Sequence, residues 1–430
     1  MLNTKDFAPI ELAVKEYCDK NHNFNFDPSN PVVRLHEPTF SSAEISAALV
    51  PMLTTFVTMG KEVKKFERQY ADEFGYKYSV MNNSGSSANL LAVAAVANKK
   101  TENNLKPGDE VIVPALSWST TIWPIIQLGL IPVFVDCDPG TYNFDLEKLE
   151  AAISDKTKAI MLVHVYGNPC DMDVVTTIAN KHNLQIIEDS CESMGAYYKD
   201  KPVGSFGRVA TFSFYYSHHI TTLEGGICVT NDYELAENMR ILRAHGWSRE
   251  AEQHDKYVAE NKEIDPRFIF VNLGYNLRPT EVQACMGQIQ LPKLAGLVDK
   301  RRAAQKDLRT RFNKYSDFFN FQEETQGGRS SWFGFGFTLK SSAPFTVSEI
   351  TEFLQNKKIE TRPIIAGNVA AHPVMKDYEH RVAGSLDAAN NIMRNGFAIG
   401  CHHGVSIQAR DYIEQVFADF MKGKGISQAA

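Results

Sequence analysis

No lysine occurs between Lys201 and Lys256, and inside that gap stand two adjacent histidines, His218 and His219, in the stretch TFSFYYSHHITTLEGG. Long apolar runs are missing too. Nowhere do eighteen apolar residues follow one another, and the amino-terminal MLNTKDFAPIELAVKEY has no basic region leading into an apolar one, so no membrane span and no secretory leader are expected and the expected location is cytoplasmic. The seven cysteines, at 18, 137, 170, 191, 228, 285 and 401, form no CxxC pair and no tight group, which excludes the usual zinc and iron–sulfur patterns, predicts free thiols and leaves no metal site expected. Blocks of like charge are absent as well. With 45 basic and 51 acidic residues the net charge is -6, which argues against nucleic acid as a partner. The few basic pairs, such as Arg301-Arg302, fall in helix-like sequence and read as a solvated face.

What is present is length and alternation. A chain of 430 residues can bury a large core. From about residue 40 to 290, helical patterns such as GKEVKKFERQYADEFG alternate with short β-branched runs such as DEVIVPALSW, IPVFVDCD and LQIIEDS, the pattern of an α/β domain with a mainly parallel sheet. We expect an extension of low regularity at 1–35, a large domain at 36–290 and a smaller carboxy-terminal α/β domain at 291–430, opening on the charged helix LPKLAGLVDKRRAAQKDLRTRFNKY.

Four short segments carry candidate chemistry, and each has a plain structural alternative. In NNSGSSANL, Gly85 and Ser86 sit where a helix begins, and its free N–H groups suit a phosphate; the serines also suit simple capping. Trp118, in VPALSWSTT, follows a strand and either stacks on a planar ring or joins the core. Asp189, in QIIEDSCESMGA, ends another strand and either meets a protonated ring nitrogen or caps a helix. The fourth is the histidine stretch, with Ser213 at its head.

In that order these segments resemble the DegT/DnrJ/EryC1/StrS sugar aminotransferase family of fold type I enzymes dependent on pyridoxal 5'-phosphate (PLP). The resemblance covers nearly the whole chain and includes GKEVKKFE, SGSSA, VPALSW, VHVYGNPCDMD, IEDSCESMGA, RAHGW and GYNLRPTEVQACMGQIQL. It implies that Gly85, Ser86 and Ser213 hold the cofactor phosphate, that Trp118 covers one ring face and that Asp189 meets the pyridine nitrogen. Asn276, in GYNLRP, matches an asparagine that reaches the phosphate from a neighbouring subunit, so a homodimer with shared active sites is expected. Glu192 stands where many members have glutamine or histidine, in contact with the cofactor.

The resemblance breaks at one position. Ordinary members carry, five residues past the serine, the lysine that binds PLP covalently; counting five from Ser213 lands on His218. Leu223 also replaces a usual glycine before Glu224. Imidazole cannot form the covalent link, yet it moves protons near neutral pH. This exchange resembles a branch of the family, the sugar 3-dehydratases. It implies that L-glutamate converts PLP to pyridoxamine 5'-phosphate (PMP), whose amine meets the 4-keto group of a nucleotide-linked 4-keto-6-deoxy sugar, GDP-4-keto-6-deoxy-D-mannose being the expected one. His218 then takes a proton from the cofactor, the 3-hydroxyl leaves, and a 3-deoxy-4-keto product forms with loss of ammonia, in deoxysugar biosynthesis of the lipopolysaccharide O-antigen kind. A related branch uses an iron–sulfur cluster, whose C-x-C is missing here. Two other functions stay open, a sugar aminotransferase and an inactive PLP-binding scaffold, and so does His219 as the base. A metal site from His218, His219, His402 and His403 lacks any recognised spacing. His245, in RAHGW, and Arg362, in ETRPIIAGN, are tentative substrate contacts; His164 is expected to be structural.

Overall fold

The computed structural model describes residues 4–426. Eight strands form the central sheet, in the order Tyr78–Asn82, Gly226–Thr230, Val209–Ser213, Gln185–Asp189, Thr157–Val163, Glu110–Pro114, Ile131–Val135 and Arg381–Val382. All neighbours are parallel except Gly226–Thr230, which runs antiparallel to both of its partners. The strand runs are apolar on both faces because both faces are covered. Val111, Val113, Met161 and Ile187 enter one core, while Ile112, Ile160, Leu162 and Ile186 enter another on the opposite side. Helix Gly85–Val96 runs through the first of these cores, so nearly every residue of LLAVAAV is buried.

A second, antiparallel sheet of three strands pairs Phe319–Phe321, Gly334–Leu339 and Gly396–Gly400. Its core is built of phenylalanines: Phe337 stacks on Phe397 at 4.8 Å and on Phe417 at 5.2 Å. The two parts of the chain interlock. Strand Arg381–Val382 joins the edge of the central sheet, and Ile364, Ile365, Ala389 and Ile392 enter the first core.

The amino-terminal region differs from its expected irregularity, since Thr4–Asn21 is an 18-residue helix. Pro9 within it masks the pattern, yet Phe7 and Cys18 are buried, and Asp6 in the first turn and Lys20 in the last suit the helix dipole. No helix among the described residues is long and apolar enough to cross a membrane.

Candidate active site

The parallel strands end at one edge, and their ends assemble a cavity of about 350 Å³. Gly85 and Ser86 open the helix after the first strand, Asp189 and Ser213 end two adjacent strands, and Trp118 lies just past Pro114. Glu192, His218 and Arg362 complete the set, so eight of the residues singled out in the sequence share one wall. Two do not. His245 takes a left-handed backbone (φ 61), donates its N–H to the Tyr275 carbonyl at 2.6 Å and turns its ring edge-on to Trp247. Asn276 bridges Ala244, and its Oδ1 accepts from Arg278 Nε at 3.0 Å.

The cradle at Gly85 is tight by construction. A Cβ there would stand 2.5 Å from Ser213 Cβ and 2.7 Å from Ser213 Oγ. Only glycine lets the start of the helix, with its free N–H groups, pack this closely against Ser213. Ser84 caps the helix by accepting from Ser87 N–H at 3.0 Å, and the Ser86 hydroxyl donates to Thr120 Oγ1 at 3.0 Å. Gly85→Ala is expected to lose about 1–3 kcal/mol through overpacking, along with most of the phosphate affinity. Thermal melting and inorganic phosphate titration check this, and parent-like values in both would refute the tight contact.

Asp189 is 4% exposed and fully engaged on the protein side. Its Oδ2 accepts from Asn89 Nδ2 at 2.8 Å and Thr121 Oγ1 at 2.7 Å, and its Oδ1 from Cys191 N–H at 3.1 Å. Thr211 Oγ1 donates in turn to Asn89 Oδ1 at 2.6 Å. All of these donors are neutral, so a buried carboxylate faces the cavity without a cation from the chain. A protonated pyridine nitrogen would supply that counter-charge, and Trp118, 51% exposed rather than part of the core, offers a free ring face to the same cavity. Cradle, carboxylate and aromatic together fit PLP.

His218 lines the cavity and His219 does not. The His218 Nδ1 lies 2.8 Å from the Cys191 carbonyl. A carbonyl oxygen only accepts, so Nδ1 carries the proton and Nε2 keeps a free lone pair. Burial pushes the imidazole down to about 4, with Arg301 and Arg362 adding repulsion, and the ring is neutral at pH 7. His219 is fully buried and bonds through Nε2 to the Ser331 carbonyl at 3.2 Å. Glu192 accepts the Tyr166 N–H at 3.1 Å. Burial raises its carboxyl to about 7 against the pull of Arg362, so it holds a proton up to neutrality. No lysine lines the cavity among the described residues.

Several participants have little or no signal in the sequence. Asn89 is legible as one polar residue in an apolar helix; Thr121 and Phe333 join the site only through tertiary packing. Glu188 and His164 are structural. Cys170 N–H donates to His164 Nδ1, His164 Nε2 donates to Glu188 Oε2 at 3.1 Å, and the same carboxylate accepts from the N–H groups of Gly204, Phe206 and Gly207. Leu223, where relatives are expected to carry glycine, has φ 70 and is 47% exposed. Leu223→Gly should relieve up to about 1 kcal/mol of left-handed strain, read as a higher denaturant midpoint; a lower midpoint would contradict the strain.

The model of the DegT/DnrJ/EryC1/StrS aminotransferase family matches residues 41–418. A GDP-4-keto-6-deoxy-D-mannose 3-dehydratase of Yersinia pseudotuberculosis is 42% identical over 387 residues, covering 89% of this chain and 96% of its own. The structure of the E. coli GDP-4-keto-6-deoxy-D-mannose-3-dehydratase with bound hydrated PLP superposes with a TM-score of 0.84 at 39% identity, covering 89% of this chain and 98% of that one. A GDP-4-keto-6-deoxymannose-3-dehydratase with a trapped PLP-glutamate geminal diamine superposes with a TM-score of 0.83 at 39% identity, covering 89% and 99%. With its family match spanning nearly the whole fold, the chain belongs to the DegT/DnrJ/EryC1/StrS aminotransferase family.

Proposed function

We propose that this chain is a PLP- and PMP-dependent sugar 3-dehydratase that removes the 3-hydroxyl of GDP-4-keto-6-deoxy-D-mannose, with L-glutamate as amino donor, in deoxysugar biosynthesis. The observation that carries the reading is the imidazole of His218 on the cavity wall, its Nδ1 anchored at the Cys191 carbonyl and no lysine beside it. When bound, the cofactor supplies a conjugated electron sink that lets a hydroxyl leave the adjoining sugar carbon. The chain supplies the rest. Gly85, Ser86 and Ser213 cradle the phosphate, Trp118 covers one ring face, and Asp189 pairs with the ring nitrogen. His218 Nε2 takes and holds the proton, while Nδ1–H stays anchored on Cys191. Glu192, neutral below about pH 7, sits beside the ring as a hydrogen-bond donor. Arg362, on the cavity wall, offers a carboxylate or phosphate clamp. With no amine on the wall to recapture the coenzyme, one water would release the amino sugar from it and a second would convert the imine to the ketone, with loss of ammonia.

The same proposal makes the enzyme a cytoplasmic homodimer. Asn276 lies outside its own cavity, which suits a residue serving a neighbouring subunit's phosphate site, and His245 a contact with substrate from that side. Support for the substrate comes from the dehydratase relative and the two dehydratase structures that the chain resembles. The test is incubation of purified protein with PLP, L-glutamate and GDP-4-keto-6-deoxy-D-mannose, followed by mass spectrometry. A 3-deoxy-4-keto product with 2-oxoglutarate and ammonia is expected; an amino sugar, or no turnover, would overturn the reading.

A further inference from the structure

Of the adjacent arginines of the long helix Leu294–Phe312, Arg301 does not face solvent at all and Arg302 is half-buried. Arg301 is 2% exposed, among the largest fully buried side chains, and it donates to carbonyls rather than to a carboxylate. Its Nη1 reaches the carbonyls of Trp332 at 3.1 Å, Phe333 at 3.2 Å and Cys401 at 2.9 Å. Arg302 Nε donates to the Ser330 carbonyl at 2.8 Å. The Ser331 carbonyl, between them, is the one taken by His219 Nε2. Four consecutive carbonyls of one irregular, buried segment, Ser330 to Phe333, are thus each held by a side-chain donor. Buried backbone needs such partners, and a ladder of strands would ordinarily supply them.

The pegged segment is also bent. Trp332 has a left-handed backbone (φ 51), as does Tyr166 (φ 55) facing it, and neither is glycine. The two bends are tied together: Ser331 N–H donates to the Gly167 carbonyl at 2.9 Å and Phe333 N–H to the Tyr166 carbonyl at 2.8 Å. Backbone strain of this kind persists only where surroundings over-determine it. What the bend delivers is the Phe333 ring, set edge-on to His218 with centroids 5.1 Å apart and also on the cavity wall.

We propose that Arg301, Arg302 and His219 are positioning residues that peg the Ser330–Phe333 strap and thereby hold the Phe333 ring against the His218 imidazole, keeping water from the ring that moves the proton. This rests on the dehydratase reading for its catalytic meaning, but the geometry is independent of it. The two histidines of the pair then divide the work, His218 facing the cavity and His219 holding the strap that covers it. The charged and titratable groups around His218 are Arg301 from the long helix, Arg362 from the carboxy-terminal part, Glu192 and Cys191 after the Asp189 strand, His36 from the amino-terminal segment, and Tyr215 and His219 on its own segment. Burial is the largest influence on the imidazole, ahead of all of these. The strap is one source of that dryness.

The test reads His218 directly, in chain purified without added cofactor, by histidine NMR titration with the His218 signal assigned from His218→Asn. Arg301→Lys keeps the positive charge but cannot reach three carbonyls, so any upward shift reports wetting rather than lost charge. Arg301→Lys and Phe333→Ala are each expected to raise the His218 titration midpoint by about one pH unit, and the double variant to shift no further than the larger single. In the active enzyme both should lower kcat about tenfold with little change in KM for glutamate. His219→Phe keeps ring volume but leaves the Ser331 carbonyl unpaired; it should reproduce the shift, and His219→Gln, which restores a donor, should reverse much of it. An unshifted His218 in folded Arg301→Lys, or additive shifts in the double variant, would overturn the proposal. If Arg301→Lys does not fold, the His219 pair decides: equal midpoints in His219→Phe and His219→Gln overturn it. Should the parent protein dehydrate no sugar, the functional reading fails while the NMR shifts still judge the strap.

Discussion

His218→Asn is expected to lose about 10²–10⁴-fold in turnover, the range that a positioned general base contributes, while keeping its fold and cofactor affinity. The substitution is chosen for what it leaves in place. The Nδ1–H of His218 donates to the Cys191 carbonyl at 2.8 Å, and an asparagine amide donates to the same oxygen. Only the basic Nε2 disappears. The cofactor's grip should hardly change, since the cradle at Gly85 and the carboxylate of Asp189 make no hydrogen bond to the imidazole. Single-turnover measurement of 2-oxoglutarate release, beside equilibrium titration with PLP, separates the two quantities. Activity within tenfold of the parent would show that another group carries the proton. Glu192 is the one to examine then, because burial keeps its carboxyl protonated to about pH 7.

Residues whose role depends on local sequence are legible in it, and those whose role depends on distant chain are not. Gly85 precedes a helix and Asp189 and Ser213 end strands, so their positions at the sheet's carboxyl edge follow from short patterns. The count of five from Ser213 to His218 survives folding because the intervening turn is local, Tyr215 N–H donating to Ser213 Oγ at 3.3 Å and His218 N–H to the Tyr215 carbonyl at 3.0 Å. Trp118 stands open between core and ring contact in the sequence, and the fold decides by leaving half its surface free. Arg301 departs outright from the solvated face expected of it. A charged pair in a helix is normally exposed, but the acceptors that draw Arg301 inward lie 31, 32 and 100 residues away. Phe333 likewise reaches His218 from a distant part of the chain. Periodicity carries no record of such partners.

The largely buried histidines, His218 among them, set the second large effect, an acid-driven loss of stability. His36 and His402 are pushed down to about 3, and His218 and His403 to about 4, burial being the leading cause for each and Arg301 a shared source of repulsion. In the unfolded chain each titrates near 6.5. The sign follows from proton counts: below 6.5 the unfolded chain binds protons that the folded one refuses, so stability is whole above that pH and falls as pH drops towards 4 and below. At pH 5 a fully dry imidazole costs about 2 kcal/mol. His219, fully buried and likewise held well below its ordinary value by burial, reaches that limit, and His402, 2% exposed, comes near it; His36, His218 and His403 are partly open and count for less. Even so, the sum is a large share of an ordinary folding margin of about 5–15 kcal/mol. Glu192 opposes it, by about as much as one dry imidazole, since its raised carboxyl makes stability fall as pH rises from about 4.5 to about 7. Thermal melts from pH 7.5 to 5.0 should show a steep decline in Tm. His36→Phe should flatten the slope, because neither His36 nitrogen has a hydrogen bond to lose and its ring already packs edge-on against Tyr216 at 4.6 Å. A Tm that stays level down to pH 5, or a slope that His36→Phe leaves untouched, would mean these imidazoles take up protons without opening the fold.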